Sequence, residues 1–260
     1  MNKINRVFNN GKAFIPFISV GDPNIDISEK LIYALEKSGA DLIELGIPFS
    51  DPTAEGPTIM GASKRALDKG ICCDDIFDMV ERVRKNTDIP LAFMTYANVI
   101  FSYGIKKFAQ KSSALGIDAL IIADIPYEEK DEFYIPFKDY DIDVISMIAP
   151  TSKDRISNIA KDASGFIYCI SSLGVTGERG TISLDIKDLI DRVKLVNPNI
   201  PCAIGFGISN KEQARKMAKI SDGIIIGSAI VKIIETYGVD CIPYVSDFAK
   251  EIKMSILNIE

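Results

Sequence analysis

Along the chain, short apolar runs of strand length alternate with longer segments in which apolar residues recur at helical spacing. Eight such runs stand out: "AFIPFISV", "ADLIELGI", "PLAFMTY", "DALIIADI", "DVISMIA", "GFIYCIS", "PCAIGFG" and "DGIIIGS". Between them lie amphipathic patterns such as "ISEKLIYALEKSG", "IFDMVERVRKN", "IKKFAQKSSALG", "IKDLIDRVKLV" and "NKEQARKMAKI". In the first, Leu31, Ala34, Leu35 and Ser38 fall at helical spacing, and Gly39 stands where a helix commonly terminates.

One joint recurs. "KSGADLIELGIP" near residue 38 returns as "ALGIDALIIADIP" near residue 114 and, more loosely, as "ISDGIIIG". Helix, glycine, spacer, aspartate and apolar strand make one supersecondary unit used repeatedly. Eight strands alternating with helices predict an α/β fold, a (β/α)8 TIM barrel spanning residues 1–260 as a single domain. In that architecture chemistry belongs at the C-terminal face of the strands. No Pro-rich or Ser/Gly-rich linker divides the chain. A doubly wound open sheet is the alternative, but its GxGxxG fingerprint is missing: "SVGDPN" holds a single glycine.

Composition narrows the function. Hydrophobic residues make up 47% and charged residues 25%, which is enough apolar material for a large core. A net charge of −6 argues against nucleic acid or an anionic membrane as partner. It leaves phosphate binding open, because backbone N–H groups bind phosphate without net positive charge. Five cysteines with no CxxC spacing read as reduced, mostly buried thiols. The polar start "MNKINRVFNNGK" has no apolar signal-peptide core and no apolar run reaches transmembrane length, so a cytoplasmic location is expected. Histidine is absent. That removes the commonest general base, the Ser-His and Cys-His nucleophile systems and the usual zinc ligand sets, so no metal site is expected. Acid–base work falls to carboxylates, Tyr, Lys or Cys.

The stretch "ELGIPFSDPTAEGP", Glu44–Pro57, concentrates three carboxylates, three prolines and two glycines. Period-two alternation puts Leu42, Glu44 and Gly46 on one face and Ile43, Leu45 and Ile47 on the other. The unbroken apolar face should meet the helices, so Glu44 should point into the barrel near its mouth. Burial would raise its pKa and suit it to proton transfer near neutral pH; the alternative is a Glu satisfied by an internal ion pair or by water. Glu55, in the following loop, reads from position alone as a solvated acid. Asp51 and Asp22 precede prolines and read as turn residues. Asp124, ending the fourth strand, is ambiguous, and Tyr168 is either inward-facing or a buried aromatic with a bonded hydroxyl. "SSLGVTGERG", "GFGISN" and "GSAI" follow the last three strands and together suggest a phosphate site. A Schiff-base aldolase would need an inward lysine, and no strand end supplies an obvious one.

With these residues in view, the sequence closely resembles the α subunit family of tryptophan synthase. The resemblance runs from "FIPFISVGDP" through "GADLIELGIPFSDPTAEGP", "MTYANVIFSYGI", "DALIIADIP" and "LGVTGERG" to "IGFGISNKEQA" and "DGIIIGSAIVKII". It implies retro-aldol cleavage of indole-3-glycerol phosphate to indole and glyceraldehyde 3-phosphate. It also implies an α2β2 heterotetramer in which indole passes to a β subunit carrying pyridoxal phosphate, with no cofactor in this chain. A standalone lyase without an obligate β partner is the alternative. By position the resemblance makes Glu44 the acid–base group and Glu55 the acceptor of the indole N–H. Phe17 and Tyr168 would line the site. Gly177, Phe206, Gly207, Gly227 and Ser228 would bind substrate, with the glycines and serine cradling phosphate. Asp51 and Pro52 would face the β subunit, and Thr176 would lie in a loop that closes over substrate. Two departures stand out: "AEGP" replaces the family's more usual "ADGP", and Met60 stands where glutamine is frequent. A phosphosugar isomerase or a non-catalytic partner subunit would be other readings; the first lacks a matched second acid or metal set, and the second is disfavoured by the presence of both acids.

Overall fold

The structure, a computed structural model, describes residues 3–152, 154–170, 182–205 and 207–257. Nine parallel strand segments form one sheet: β1 (Ala13–Ser19), β2 (Ile43–Gly46), β3 (Leu91–Thr95), β4 (Ala119–Ile122), β5 (Asp143–Val144), β6 (Ser146–Ile148), β7 (Ile167–Ile170), β8 (Cys202–Gly205) and β9 (Gly223–Ile226). Their order is β5-β4-β3-β2-β1-β9-β8-β7-β6. The predicted fifth strand is split. β5 pairs with β4 and β6 with β7, and the pairing changes sides at Ile145, whose N–H still donates to the Leu120 carbonyl at 2.8 Å. Closing a staggered barrel requires such a change of partner. The two pieces therefore act as one staved strand, and the predicted eight-stranded parallel barrel is the architecture found.

Helices wrap the outside. Those before the fourth strand are α1 (Ile4–Val7), α2 (Ile25–Lys37), α3 (Pro57–Leu67), α4 (Cys73–Arg84), α5 (Ala97–Tyr103) and α6 (Ile105–Ala114). Those after it are α7 (Asp131–Lys138), α8 (Ile156–Asp162), α9 (Ile182–Val196), α10 (Lys211–Ala218), α11 (Ser228–Tyr237) and α12 (Ile242–Leu257). Ile43, Leu45 and Ile47 pack outward against helical residues such as Leu31, Leu35 and Val80. Leu42 instead joins Ala13, Ile15, Ala92 and Ile225 in the barrel interior. The alternation read from sequence is thus the alternation observed. Ile4 and Val7 of α1 plug the N-terminal end of the barrel, with Phe8 tilted against Phe166 at 5.5 Å.

The repeated joint has a physical basis at that same end. After α2, Gly39 adopts φ +96° and donates to Glu36, while Ala40 donates to Leu35 at 3.1 Å. After α6, Gly116 (φ +71°) and Ile117 bond Ser113 and Ser112 in the same pattern. Both are Schellman closures, which need a left-handed residue that glycine adopts without a Cβ penalty. The aspartate that follows then clasps one residue of the adjacent strand. Asp41 donates its N–H to the Phe14 carbonyl and accepts the Phe14 N–H on its carboxylate, at 2.9 and 2.7 Å. Asp118 does the same with Leu91, and Asp222 with Cys202. Each carboxylate also takes a cation from a helix: Lys253 at 2.6 Å, Arg84 at 3.3 Å and Lys194 at 2.8 Å respectively.

Asp22 differs from its reading as a turn residue. It is 2% exposed, and its two oxygens accept from Nε and Nη2 of Arg65, each at 2.9 Å. Arg65 reaches on to Glu235 at 3.2 Å, so one guanidinium joins the loop after β1 to α3 and α11. A carboxylate this deeply buried is tolerated only with such a partner.

The three aspartate clasps at the N-terminal end are structural and lie away from the barrel mouth. Replacing Asp118 by alanine strips partners from the Leu91 N–H and from Arg84, and should lower stability by about 2–4 kcal/mol in urea unfolding. Turnover measured on the folded variant should stay near that of the parent.

Candidate active site

At the opposite end of the barrel, β2 brings Glu44 into register with Phe17 of β1 and Ala92 of β3. Glu44 is 1% exposed, and neither carboxyl oxygen has a hydrogen-bond partner among the described residues. Among the described residues the internal ion pair allowed by the sequence is not observed. Desolvation is the main force on this group and the nearby charge of Glu55 adds to it, so its pKa is pushed up from 4.5 to about 8. Near neutral pH the side chain is mostly a protonated, uncharged acid.

Glu55 comes from the loop 47–56, which ends where Gly56 and Pro57 open α3. Glycine before the helix and proline at its first position set that turn. The residue holding the loop is Tyr96, at the junction of β3 and α5. Its hydroxyl donates to Glu55 Oε2 and accepts the Ala54 N–H at 3.0 Å, and its ring stacks on Phe49 with centroids 5.0 Å apart. Burial raises the Glu55 pKa, the Tyr96 hydrogen bond works against that, and the Asp124 charge adds to the rise. Tyr96 was not singled out from sequence. The available signal was its place in "PLAFMTY": a polar-tipped aromatic ending a strand on the face where Glu44 also sits. Asp124, left ambiguous, accepts the Ala97 N–H at 2.9 Å and so caps α5.

Glycines make room for the two aromatic rings. A Cβ at Gly46 would collide with the ring of Phe17, and one at Gly205 with the Tyr168 hydroxyl. Gly227 also faces the Phe17 ring, whose Cδ1 lies 3.3 Å from the position a Cβ would take. Phe17 and Tyr168 are 4% and 5% exposed and belong to the interior cluster, so both point inward. Burial, reinforced by the Glu44 and Glu55 charges, raises the Tyr168 pKa far above its usual value and keeps the hydroxyl protonated.

Gly207, at φ +78°, follows β8 with open space where a side chain would project. Gly227 and Ser228 open α11 after β9, and the first helical bond there runs from Val231 to Gly227. The N–H groups of Ser228, Ala229 and Ile230 thus precede any intrahelical bond, as a helix start requires, and suit an anion. Asp51 is exposed and accepts from Ser50 Oγ at 2.5 Å, with Pro52 half-buried beside it. Met60 is 43% exposed on α3. Thr176, Gly177 and Phe206 lie outside the described residues.

The Glu44 proton has a consequence for stability. Its folded pKa lies above its unfolded value, so between about pH 4.5 and 8 the folded state holds a proton that the unfolded chain releases. That contribution is fully present below the unfolded pKa and is lost as pH rises through 8, by up to about 1.4 kcal/mol per pH unit. Urea unfolding at pH 5, 7 and 9 should therefore show Glu44→Gln gaining stability relative to the parent with each step. A difference independent of pH would mean that Glu44 is ionised throughout.

Comparison with known proteins agrees with this geometry. The family model described as tryptophan synthase alpha chain matches residues 5–254. The tryptophan synthase alpha chain of Lacticaseibacillus casei is 45% identical over 256 residues, covering 98% of this chain and 96% of that one. The solved α subunit from Legionella pneumophila str. Paris superposes with a TM-score of 0.90 at 35% identity, over 100% of both chains. A chain from the tryptophan synthase α2β2 complex of Pyrococcus furiosus gives a TM-score of 0.87 at 32% identity, covering 94% of this chain and 99% of that one. On this evidence the chain belongs to the tryptophan synthase alpha chain family.

Proposed function

We infer that this chain cleaves indole-3-glycerol phosphate to indole and D-glyceraldehyde 3-phosphate and passes the indole to a β subunit. The observation that carries the reading is the buried Glu44, without a hydrogen-bond partner among the described residues and held uncharged beside a second carboxyl at the C-terminal mouth of the barrel. The chemical difficulty is that C3 of indole is a poor leaving carbanion. Glu44 delivers its proton to C3 while Glu55 accepts the indole N–H, which stabilises the cation-like indolenine. The Glu44 carboxylate then takes the proton of the hydroxyl on the carbon attached to C3. That carbon becomes the aldehyde, and the electrons of the broken C–C bond restore the aromatic ring. Glu44 ends protonated, as it began, so the step needs no cofactor in this chain; pyridoxal phosphate belongs to the β subunit's half of the reaction.

Tyr96 positions Glu55, and Phe17 and Tyr168 supply the flat apolar walls an indole ring requires. Gly207, Gly227 and Ser228 supply backbone N–H groups for the phosphate; the family resemblance adds Gly177 to that cradle and Phe206 to the substrate-binding residues. Asp51 and Pro52 face the β subunit, in keeping with the α2β2 assembly named for the Pyrococcus relative, and Thr176 closes over substrate. This assembly is preferred to the standalone lyase. Among the described residues no helix is long and apolar enough to cross a membrane, and a cytoplasmic site fits five free thiols.

Indole release from indole-3-glycerol phosphate, measured with and without a β subunit, tests the reading directly; no indole under either condition would sink it. Glu44→Gln should lower turnover by about 10²–10⁴-fold while substrate still binds. Tyr96→Phe, which removes only the hydroxyl holding Glu55, should cost roughly ten-fold in kcat/KM. Loss from Glu55→Ala of only two- or three-fold would return that residue to the ordinary loop acids.

A further inference from the structure

A cavity of about 160 Å³ lies outside the barrel interior, under the segment that links β4 to α7. None of the catalytic or phosphate-binding residues named above lines it. Its inner wall is the split strand, where Ile145 and Met147 turn toward the barrel core while Val144 and Ser146 remain on the helix side. Ile122, Phe133 and Ile159 complete its apolar wall, and Tyr127, Tyr134, Ser146 and Ser152 add polar groups to the lining.

The segment over this chamber is fastened to α8 at both ends. Asp162, closing α8, accepts from the Tyr127 hydroxyl at 2.7 Å and from Lys130 Nζ at 2.6 Å on one oxygen. Its backbone carbonyl accepts from the Tyr134 hydroxyl at 3.1 Å. Arg155, just before α8, reaches Glu128 at 3.3 Å. Lys130 and Arg155 are the charged residues lining the cavity, and each already has its carboxylate. A charged occupant would have to compete with one of these pairs for its partner. A neutral one meets aliphatic side chains, the Phe133 ring and two tyrosines. In volume, a cavity of roughly 150 Å³ is large enough for benzene.

We propose that this chamber is a second ligand site, taking a small neutral aromatic molecule between benzene and indole in size. That indole itself could occupy it in the working enzyme rests on the reaction inferred above; the site does not. Ile145 and Met147 border both the chamber and the interior cluster, and Met147 pairs in register with Tyr168. The two sites are thus separated by a single strand.

The test uses the full chain with isoleucine methyl labels and toluene as the probe, with indole, benzoate and benzylamine in parallel. Toluene should bind saturably and give nuclear Overhauser contacts to Ile122 and Ile159. Ile159→Trp or Val144→Phe, each checked for folding by circular dichroism, should abolish those contacts and weaken uptake at that site at least ten-fold. Indole should behave as toluene does, and both charged probes should bind at least ten-fold more weakly. Contacts confined to Ile15 and Ile225 would put the ring in the barrel interior and overturn the proposal. So would absence of saturable binding, or contacts to Ile122 and Ile159 that survive both filling variants. A charged probe binding as tightly as toluene would overturn the ligand class. Failure of indole-3-glycerol phosphate cleavage would leave the toluene result standing, so the two readings fail separately.

Discussion

The mouth of this barrel holds one carboxyl group buried without a partner among the described residues. Neither oxygen of Glu44 receives a hydrogen bond from the described residues, and an ionised carboxylate in that position would cost several kcal/mol. The protein meets this constraint by keeping the proton on. Glu55 reinforces the effect, since two carboxylates facing one pocket resist simultaneous ionisation. The Tyr96 hydrogen bond works against the rise that burial gives Glu55, and Glu44 lacks such a bond among the described residues. The pattern is the general one in which two titratable groups are driven apart by their surroundings.

The lower end of the barrel supplies the rigidity that such an arrangement needs. Three aspartates there each hold both backbone groups of one residue on the preceding strand, and three helical cations pair with them. The clasp carboxylates at this end each have a backbone N–H and a cation, whereas the Glu44 carboxyl has neither among the described residues. Register is what the clasps fix. A slip of one residue in β2 would turn Glu44 toward the helices and Ile43 into the pocket.

Much of this was legible in the sequence because it rests on local periodicity. The alternation around Glu44 fixed which face is inward, and the glycine–spacer–aspartate repeat marked joints that prove to be Schellman turns followed by strand clasps. What escaped the sequence depends on contacts between distant segments. Tyr96 lies 41 positions from Glu55 and Arg65 lies 43 from Asp22, and nothing in the intervening residues announces either pairing. The split of the fifth strand was equally hidden, because "DVISMIA" is continuous as a pattern and changes only its partner. Glu55 became a candidate through family resemblance, since a loop acid carries no periodicity of its own.

The clasps also differ in how far apart in the chain their parts are. Asp118 draws its cation from 34 positions away and Asp222 from 28, so those joints can close within a short length of chain. Asp41 draws its cation from Lys253, 212 positions away on the last helix. Its backbone bonds to Phe14 span only 27 residues and carry a modest loop-closure entropy, but the charge at their centre stays uncompensated until α12 docks. On a ribosome releasing the chain from its N-terminus, the first joint to emerge is therefore the last to be completed. The C-terminal helix is the piece that finishes the barrel's beginning.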